Sequence, residues 1–358
     1  MQIIVFILIL SFLVLIHEIG HYLVAKFFGM RVDEFGIGLP PRVKGLFTKW
    51  GTLFSLNWVP LGGFVKIYGE DPDDSVQRNS PEAFFNKPIW QRALVLTAGV
   101  FMNFLFGVIA FGIVYSYIGI PTKTDKVFVA EVIKGSPADV VGIKAKEEIK
   151  EVRVKKSLVN FVGVEGFIKE LEPLKGSEIV LGVLDEKGAM REVVVTPRKD
   201  PPDGQGALGV TLSGIEMKKY VWWQMPFRGM KVGLSEAVAW GGEIVTNFKT
   251  LIGGIITGKG LPEDIAGPVG IYQVSKQAYS FGWVAVVQFM AILSINLAIL
   301  NIMPFPALDG GRLFFLGVEM LIGKNLKNRF EGYVHTIGMV LLLSLMAVVT
   351  VRDIIKLF

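Results

Sequence analysis

The chain opens on an uncharged apolar run, Met1 to Ile16, which continues through one short polar interruption to Ala25. Three later stretches also lack Asp, Glu, Lys and Arg: Ala93 to Ile120, Ala278 to Leu308 and Val334 to Val351. At 1.5 Å per residue each can cross a hydrocarbon core of about 30 Å, so four transmembrane helices are predicted. Val232 to Gly258 carries Glu236, Glu243 and Lys249 at near-helical spacing and predicts an amphipathic helix lying on the membrane surface. Trp222, Trp223 and Trp240 suit such an interface. Thr52 to Val59 instead alternates apolar and polar positions between turn signals at Gly51 and Pro60-Leu61-Gly62-Gly63, which predicts extended chain.

The expected architecture is a polytopic α-helical membrane protein with a membrane-associated β region and one polar α+β insert. Its parts are a first transmembrane helix (1–28), a loop with β-hairpins (29–92) and a second helix (93–120). The polar domain (121–200) and a linker with the amphipathic helix (201–277) follow. A third helix (278–310), a short loop (311–332) and a fourth helix (333–352) complete the chain.

Composition agrees with this pattern and narrows it. Hydrophobic residues make up 51% of the 358, only 19% are charged and the mean hydropathy is +0.50, which excludes an ordinary soluble protein. No Lys or Arg precedes the first run and no small-residue cleavage site follows it, so it is expected to stay as an anchor. With no cysteine, a metal site would have to use His and carboxylate ligands. The net charge of +5 comes without a basic cluster interleaved with aromatics, so nucleic acid is not an expected partner. Eight Lys or Arg lie between Arg31 and Arg92 and four between Arg312 and Arg329. The positive-inside rule places both loops in the cytoplasm, and the N-terminus and residues 121–277 outside.

Chemistry enters where the first run is interrupted, at His17-Glu18-Ile19-Gly20-His21. Positions i and i+4 share a helix face, so both imidazoles can reach one metal ion while Glu18 sits beside an open position. Ionisable groups inside a membrane-length helix are costly and mark function by default. A catalytic zinc takes three protein ligands and leaves one place open, and Asp309 completes the set. His17 lies about 14 residues, or roughly 21 Å of helix, from the outer end of its span. With four spans the third runs parallel to the first, which brings Asp309 to the same depth. His335, the third histidine, is the rival ligand. Pro304 and Pro306 end the third helix and free backbone groups tolerated only where they line a protein cavity. Asn301 is polar inside the span and could cap that broken backbone or hold a substrate.

Together, His17-Glu18-Ile19-Gly20-His21 and Asn301-x-x-Pro304-x-Pro306-x-Leu308-Asp309-Gly310 resemble the two motifs of the site-2 protease (M50) family of intramembrane zinc metalloproteases. Phe35 to Arg42, Gly62-Gly63-Phe64-Val65-Lys66 and Gly267-Pro268-Val269-Gly270-Ile271 are similar to its bacterial branch, which includes the regulator of sigma-E protease. The resemblance implies Zn2+ held by His17, His21 and Asp309, Glu18 as general base, and Asn301, Pro304 and Pro306 in substrate binding. It also implies that the segment 35–68 holds an unwound substrate inside the membrane.

Within the insert, Val127 to Ile133 followed by Gly135-Ser136-Pro137-Ala138 and further strands to Pro197 resembles a PDZ domain. The resemblance is broken at Lys144-Ala145-Lys146-Glu147, where a Pro-Gly-Asp turn is usual. Peptide or protein contact there is one expected partnership, beside the lipid bilayer and single-pass transmembrane substrates. The expected function is intramembrane proteolysis in a bacterial cytoplasmic membrane, cutting for example an anti-sigma factor or remnant signal peptides. The alternatives are a membrane-anchored zinc peptidase acting on soluble chains and a non-catalytic PDZ adaptor with a structural metal.

Overall fold

A computed structural model describes residues 2–70, 80–155, 157–185, 188–258, 267–322 and 328–356. The chain divides into two compact units, one made of residues 1–116 and 226–358 and the other of residues 117–225.

The first unit begins with helix α1 (Gln2–Phe27), which leads into β1 (Val32–Lys49) and β2 (Thr52–Ile67). Both strands are long enough to fold back on themselves. Residues 53–56 pair with Glu34 to Ile37 on one side and reach 44–48 on the other, while Gly63 to Ile67 pair with Ile37 to Val32. The stretch 63–67 is therefore an edge. Its N-terminal turn climbs α1: Ser11 Oγ donates to Pro60 O at 3.0 Å and accepts from Gly62 N–H at 3.2 Å. Lower on α1, Tyr22 packs edge-on against Phe35 and Phe54, with centroids 5.7 and 5.8 Å away. The sheet thus lies along the helix that carries both histidines. Helix α2 (Ile89–Ile118) follows, and a Cβ on Gly20 would lie 2.4 Å from Ala98 O, so glycine is what lets α1 and α2 approach.

The second unit is one antiparallel sheet with short helices. It comprises β3 (Ile120–Val132), α3 (Pro137–Val140), β4 (Glu148–Val154), β5 (Ser157–Val159), α4 (Gly163–Leu171), β6 (Ile179–Leu184), β7 (Met190–Val195) and β8 (Val210–Lys218). Strand order is β7-β6-β4-β3-β8, with β5 paired to β4. Its hydrophobic core is centred on Val127, Ile149, Phe167, Ile179, Leu181 and Leu208. This sheet runs past the expected boundary at residue 200, because β8 pairs with β3 across the Pro201-Pro202-Asp203-Gly204 turn that read as a linker. The Lys144–Glu147 departure is closed locally. Lys144 N–H donates to Glu147 Oε2 at 3.0 Å, and Arg191 pairs with the same carboxylate at 2.8 Å.

The first unit resumes with α5 (Met225–Ile256), α6 (Pro268–Phe281), α7 (Trp283–Ile302), α8 (Asp309–Ile322) and α9 (Asn328–Ile355). The amphipathic α5 is seated on α2 through small residues: a Cβ on Gly233 would lie 2.6 Å from Val108 O, and one on Gly229 2.2 Å from Ser116 Oγ. The helix expected over 278–310 is interrupted twice. Gly282, at φ 98°, separates α6 from α7. Met303, extended before Pro304, ends α7. Apolar content is continuous across both breaks, which is why hydropathy alone merged the segments. The expected loop 311–332 opens with helix α8, whose Leu316 is buried among the α1 and sheet residues and whose Glu319 pairs with Arg92 of α2 at 2.6 Å. Among the described residues, four helices are long and apolar enough to cross a membrane: α1, α2, α7 and Gly332–Ile355 of α9.

Candidate metal centre

One helical turn separates His17 from His21, and both are buried, 7% and 8% exposed. Their Nε2 atoms lie 3.0 Å apart. The Pro304–Pro306 break after α7 turns the chain so that Asp309, at the N-terminus of α8, brings Oδ2 to 2.9 Å from His17 Nε2 and 3.3 Å from His21 Nε2. These three side chains form the one group of three or more potential metal ligands among the described residues. Ala307, at φ 81°, supports that turn, and its N–H donates to His335 Nδ1 at 2.9 Å. His335 is thus bound to the loop that presents Asp309, and it stands outside the ligand triangle.

The donor set fits a tetrahedral cation. His21 Nδ1 lies 2.8 Å from Val95 O, and a carbonyl can only accept, so Nδ1 carries the proton and, in the neutral ring a metal ligand must be, Nε2 is left with its lone pair. That lone pair faces Asp309 Oδ2, which is buried and has no hydrogen-bond partner among the described residues. Acceptors crowded in this way repel one another unless a positive charge lies among them. Ligands about 2.0–2.1 Å from a tetrahedral zinc stand roughly 3.3 Å apart, close to the three separations found here. The space is held open by Gly99 of α2, where a Cβ would lie 2.5 Å from His21 Nε2 and 2.7 Å from His17 Nε2.

Beside this triangle is a cavity of about 500 Å³ lined by Glu18, His21, Phe64, Val65, Asp309 and His335, among others. Arg312 and Glu70, an ion pair, also line it. The edge stretch 63–67 therefore forms one wall. Of the three residues expected to bind substrate, Pro306 packs against Gly338 of α9, where a Cβ would lie 2.3 Å from it. The cavity takes Ala307, Leu308 and Asp309 from that segment, and not Asn301, Pro304 or Pro306.

Phe64 and Val65 belong to the Gly62–Lys66 motif already noted, whereas Gly99, Asn103 and the Glu70–Arg312 pair are neighbours the sequence did not single out. A signal existed for two of them: Gly99, Asn103 and Gly107 follow one another at four-residue spacing, a small and polar stripe on an otherwise apolar helix.

Residues 5–345 match the pattern of "Peptidase family M50". A protein of Clostridium acetobutylicum is 33% identical over 354 residues, which is 99% of this chain and 97% of the relative. One of Clostridium perfringens is 35% identical over 358 residues, covering 99% of each chain. One of Fusobacterium nucleatum is 30% identical over 365 residues and covers both chains fully. All three carry the name "Putative zinc metalloprotease". The chain belongs to peptidase family M50.

Proposed function

We propose that the protein is a zinc endopeptidase that cuts transmembrane segments of single-pass proteins inside the bilayer. The observation that carries this reading is the convergence of His17, His21 and Asp309 partway along a helix long and apolar enough to cross a membrane. A closed structural site would have no use for Glu18, and its place on the cavity wall beside His21 favours an enzyme over an adaptor. The burial of His17 in a span favours a membrane substrate over a soluble one.

His17 Nε2, His21 Nε2 and Asp309 Oδ2 would hold the metal, which would supply Lewis acidity toward a carbonyl oxygen and lower the pKa of water to about 7. The Glu18 carboxylate accepts the proton of the attacking water at an Oε atom and gives it to the leaving amine nitrogen. A helical substrate hides its carbonyls in its own hydrogen bonds, so it must be unwound first. The edge 63–67, a wall of the cavity, can hold the opened segment by strand addition. Asn301, Pro304 and Pro306 then act on substrate through the turn that presents Ala307 to Asp309.

In the topology we favour, the N-terminus and the second unit face outward from a bacterial cytoplasmic membrane, and the catalytic cavity draws water from the cytoplasm. The Lys and Arg bias of the flanking loops supports it. Single cysteines can test it without background, since the chain has none. Cysteines at Ser157 and Gly214 should label with a membrane-impermeant thiol reagent from outside. Those at Ser75 and Asn325, which lie outside the described residues, should label only after permeabilisation. We read the second unit as PDZ-like. A cavity of about 260 Å³ between α4 and the edge strand β8, lined by Phe167, Leu171, Leu208 and Val210, offers a place for peptide contact.

The direct test is turnover of a transmembrane reporter by purified protein before chelation, after it and after zinc is restored. Cleavage should disappear and return. Cleavage that persists in the fully chelated protein would overturn the proposal.

A further inference from the structure

Asn103 is fully buried in α2, four residues beyond Gly99 and so on the same face. Its Nδ2 lies 3.5 Å from Nδ1 of His17, while its Oδ1 is buried with no hydrogen-bond partner among the described residues. Its backbone is fixed from a third helix: Ser294 Oγ of α7 donates to Asn103 O at 2.8 Å. An amide in this place, with one polar end orphaned and the other at the outer limit of bonding distance from an imidazole, requires an explanation.

The tautomer of His17 provides one. For Nε2 to face Asp309 and His21 as a ligand it must be a bare lone pair, so the proton of a neutral ring resides on Nδ1. An N–H there cannot bond to an amide NH2, because both are donors. Turned by 180° about its last torsion, the amide occupies the same space and presents Oδ1 to Nδ1–H. The two ends are told apart only by their partners. That orientation satisfies the orphaned oxygen and the imidazole at once. It also gives His17 what His21 has in Val95 O, an acceptor behind the ring.

We propose that Asn103 is a positioning residue for His17, accepting its Nδ1–H through Oδ1 and thereby holding Nε2 as a metal ligand. The proposal rests on the zinc-site reading above, and it gives α2 a polar role in a site whose ligands come from α1 and α8. Support of this kind behind a metal-binding histidine is worth about 10- to 100-fold in metal affinity.

The test uses full-length protein in detergent and compares Asn103→Leu, which fills the space without an acceptor, with Asn103→Asp, which keeps one. Zinc affinity is measured by chelator competition, and the His17 tautomer in metal-free protein by side-chain 15N chemical shifts. Asn103→Leu should weaken zinc binding about 10- to 100-fold. It should also turn the single Nδ1–H tautomer of His17 into a mixture, while Asn103→Asp restores both readings toward wild type. Should the leucine variant not fold, Asn103→Ala gives the same contrast. Wild-type zinc affinity together with an unaltered tautomer in the folded leucine or alanine variant would overturn the role of Asn103 alone. A wild-type protein that binds no zinc would overturn the zinc-site reading instead, and the tautomer measurement would still decide whether Asn103 accepts from His17.

Discussion

The two units bury polar groups in different ways. In the sheet unit, the buried polar side chains among the described residues are Ser136 and Glu147. Each is satisfied close by in sequence or by a surface partner. Ser136 caps α3 by accepting from Asp139 N–H, and Glu147 takes Lys144 N–H and Arg191. The helical unit has local pairs of this kind too, Asn57 with Ser55 and Ser275 with Tyr272 O, but it also gathers buried His17, His21, Asn103 and Ser294 from three helices, with Asp309 from a fourth closing the group. Buried polar groups cost free energy unless paired, so local pairing in either unit reads as folding chemistry. Assembly from distant segments around crowded acceptors reads as a site.

That contrast can be broken most severely at the ligands. His17→Ala, His21→Ala and Asp309→Ala should each take bound zinc from about one per chain to near none and abolish cleavage. Metal analysis by mass spectrometry reads this directly. His335→Ala should keep its zinc, since its ring serves the Ala307 turn. Zinc lost from His335→Ala and kept by Asp309→Ala would replace the third ligand. Glu18→Gln comes next. It should retain the metal and lose about 10²- to 10⁴-fold in turnover, the usual worth of a general base. Full turnover in that variant would remove Glu18 from the chemistry.

A smaller effect is expected at Gly99. One added methyl group would occupy the gap between the two Nε2 atoms. Overpacking of this kind costs about 1–3 kcal/mol. Gly99→Ala should therefore weaken zinc binding by about tenfold or more in a chelator titration. Unchanged affinity would mean that the cradle has room for the methyl group. The least effect on the site should come from the other unit. Phe167→Ala empties a core position there and should cost that unit about 3–5 kcal/mol, seen as faster amide exchange in β3, β4 and β6. Zinc content should not change. A loss of metal in this variant would show that the division of labour between the units is wrong.

How much of this could be read from the chain depends on how each feature announces itself. The histidine pair and Asp309 were legible because charge inside an apolar run is rare and the motif spacing is fixed. The four helices long and apolar enough to span a membrane, among the described residues, were legible from hydropathy, but the breaks at Gly282 and Met303 were not, since backbone dihedrals leave no trace in apolar content. Helix α8 was hidden because Arg312 and Glu319 gave its segment the look of a loop, whereas both are paired, with Glu70 and Arg92. The double pairing of β1 and β2 depends on register, which alternation alone does not fix. Asn103 was silent for a plainer reason. An uncharged amide among apolar residues acquires meaning only once another helix is set against it.

The central claim is that this metal centre cuts peptide bonds within the bilayer. It is tested most directly by mapping, by mass spectrometry, where purified protein in lipid bilayers cuts a single-pass reporter with soluble flanks. The account predicts a scissile bond inside the reporter's apolar segment, toward its cytoplasmic end, produced by wild type and not by Glu18→Gln. Cleavage confined to the soluble flanks, with the apolar segment intact, would contradict it.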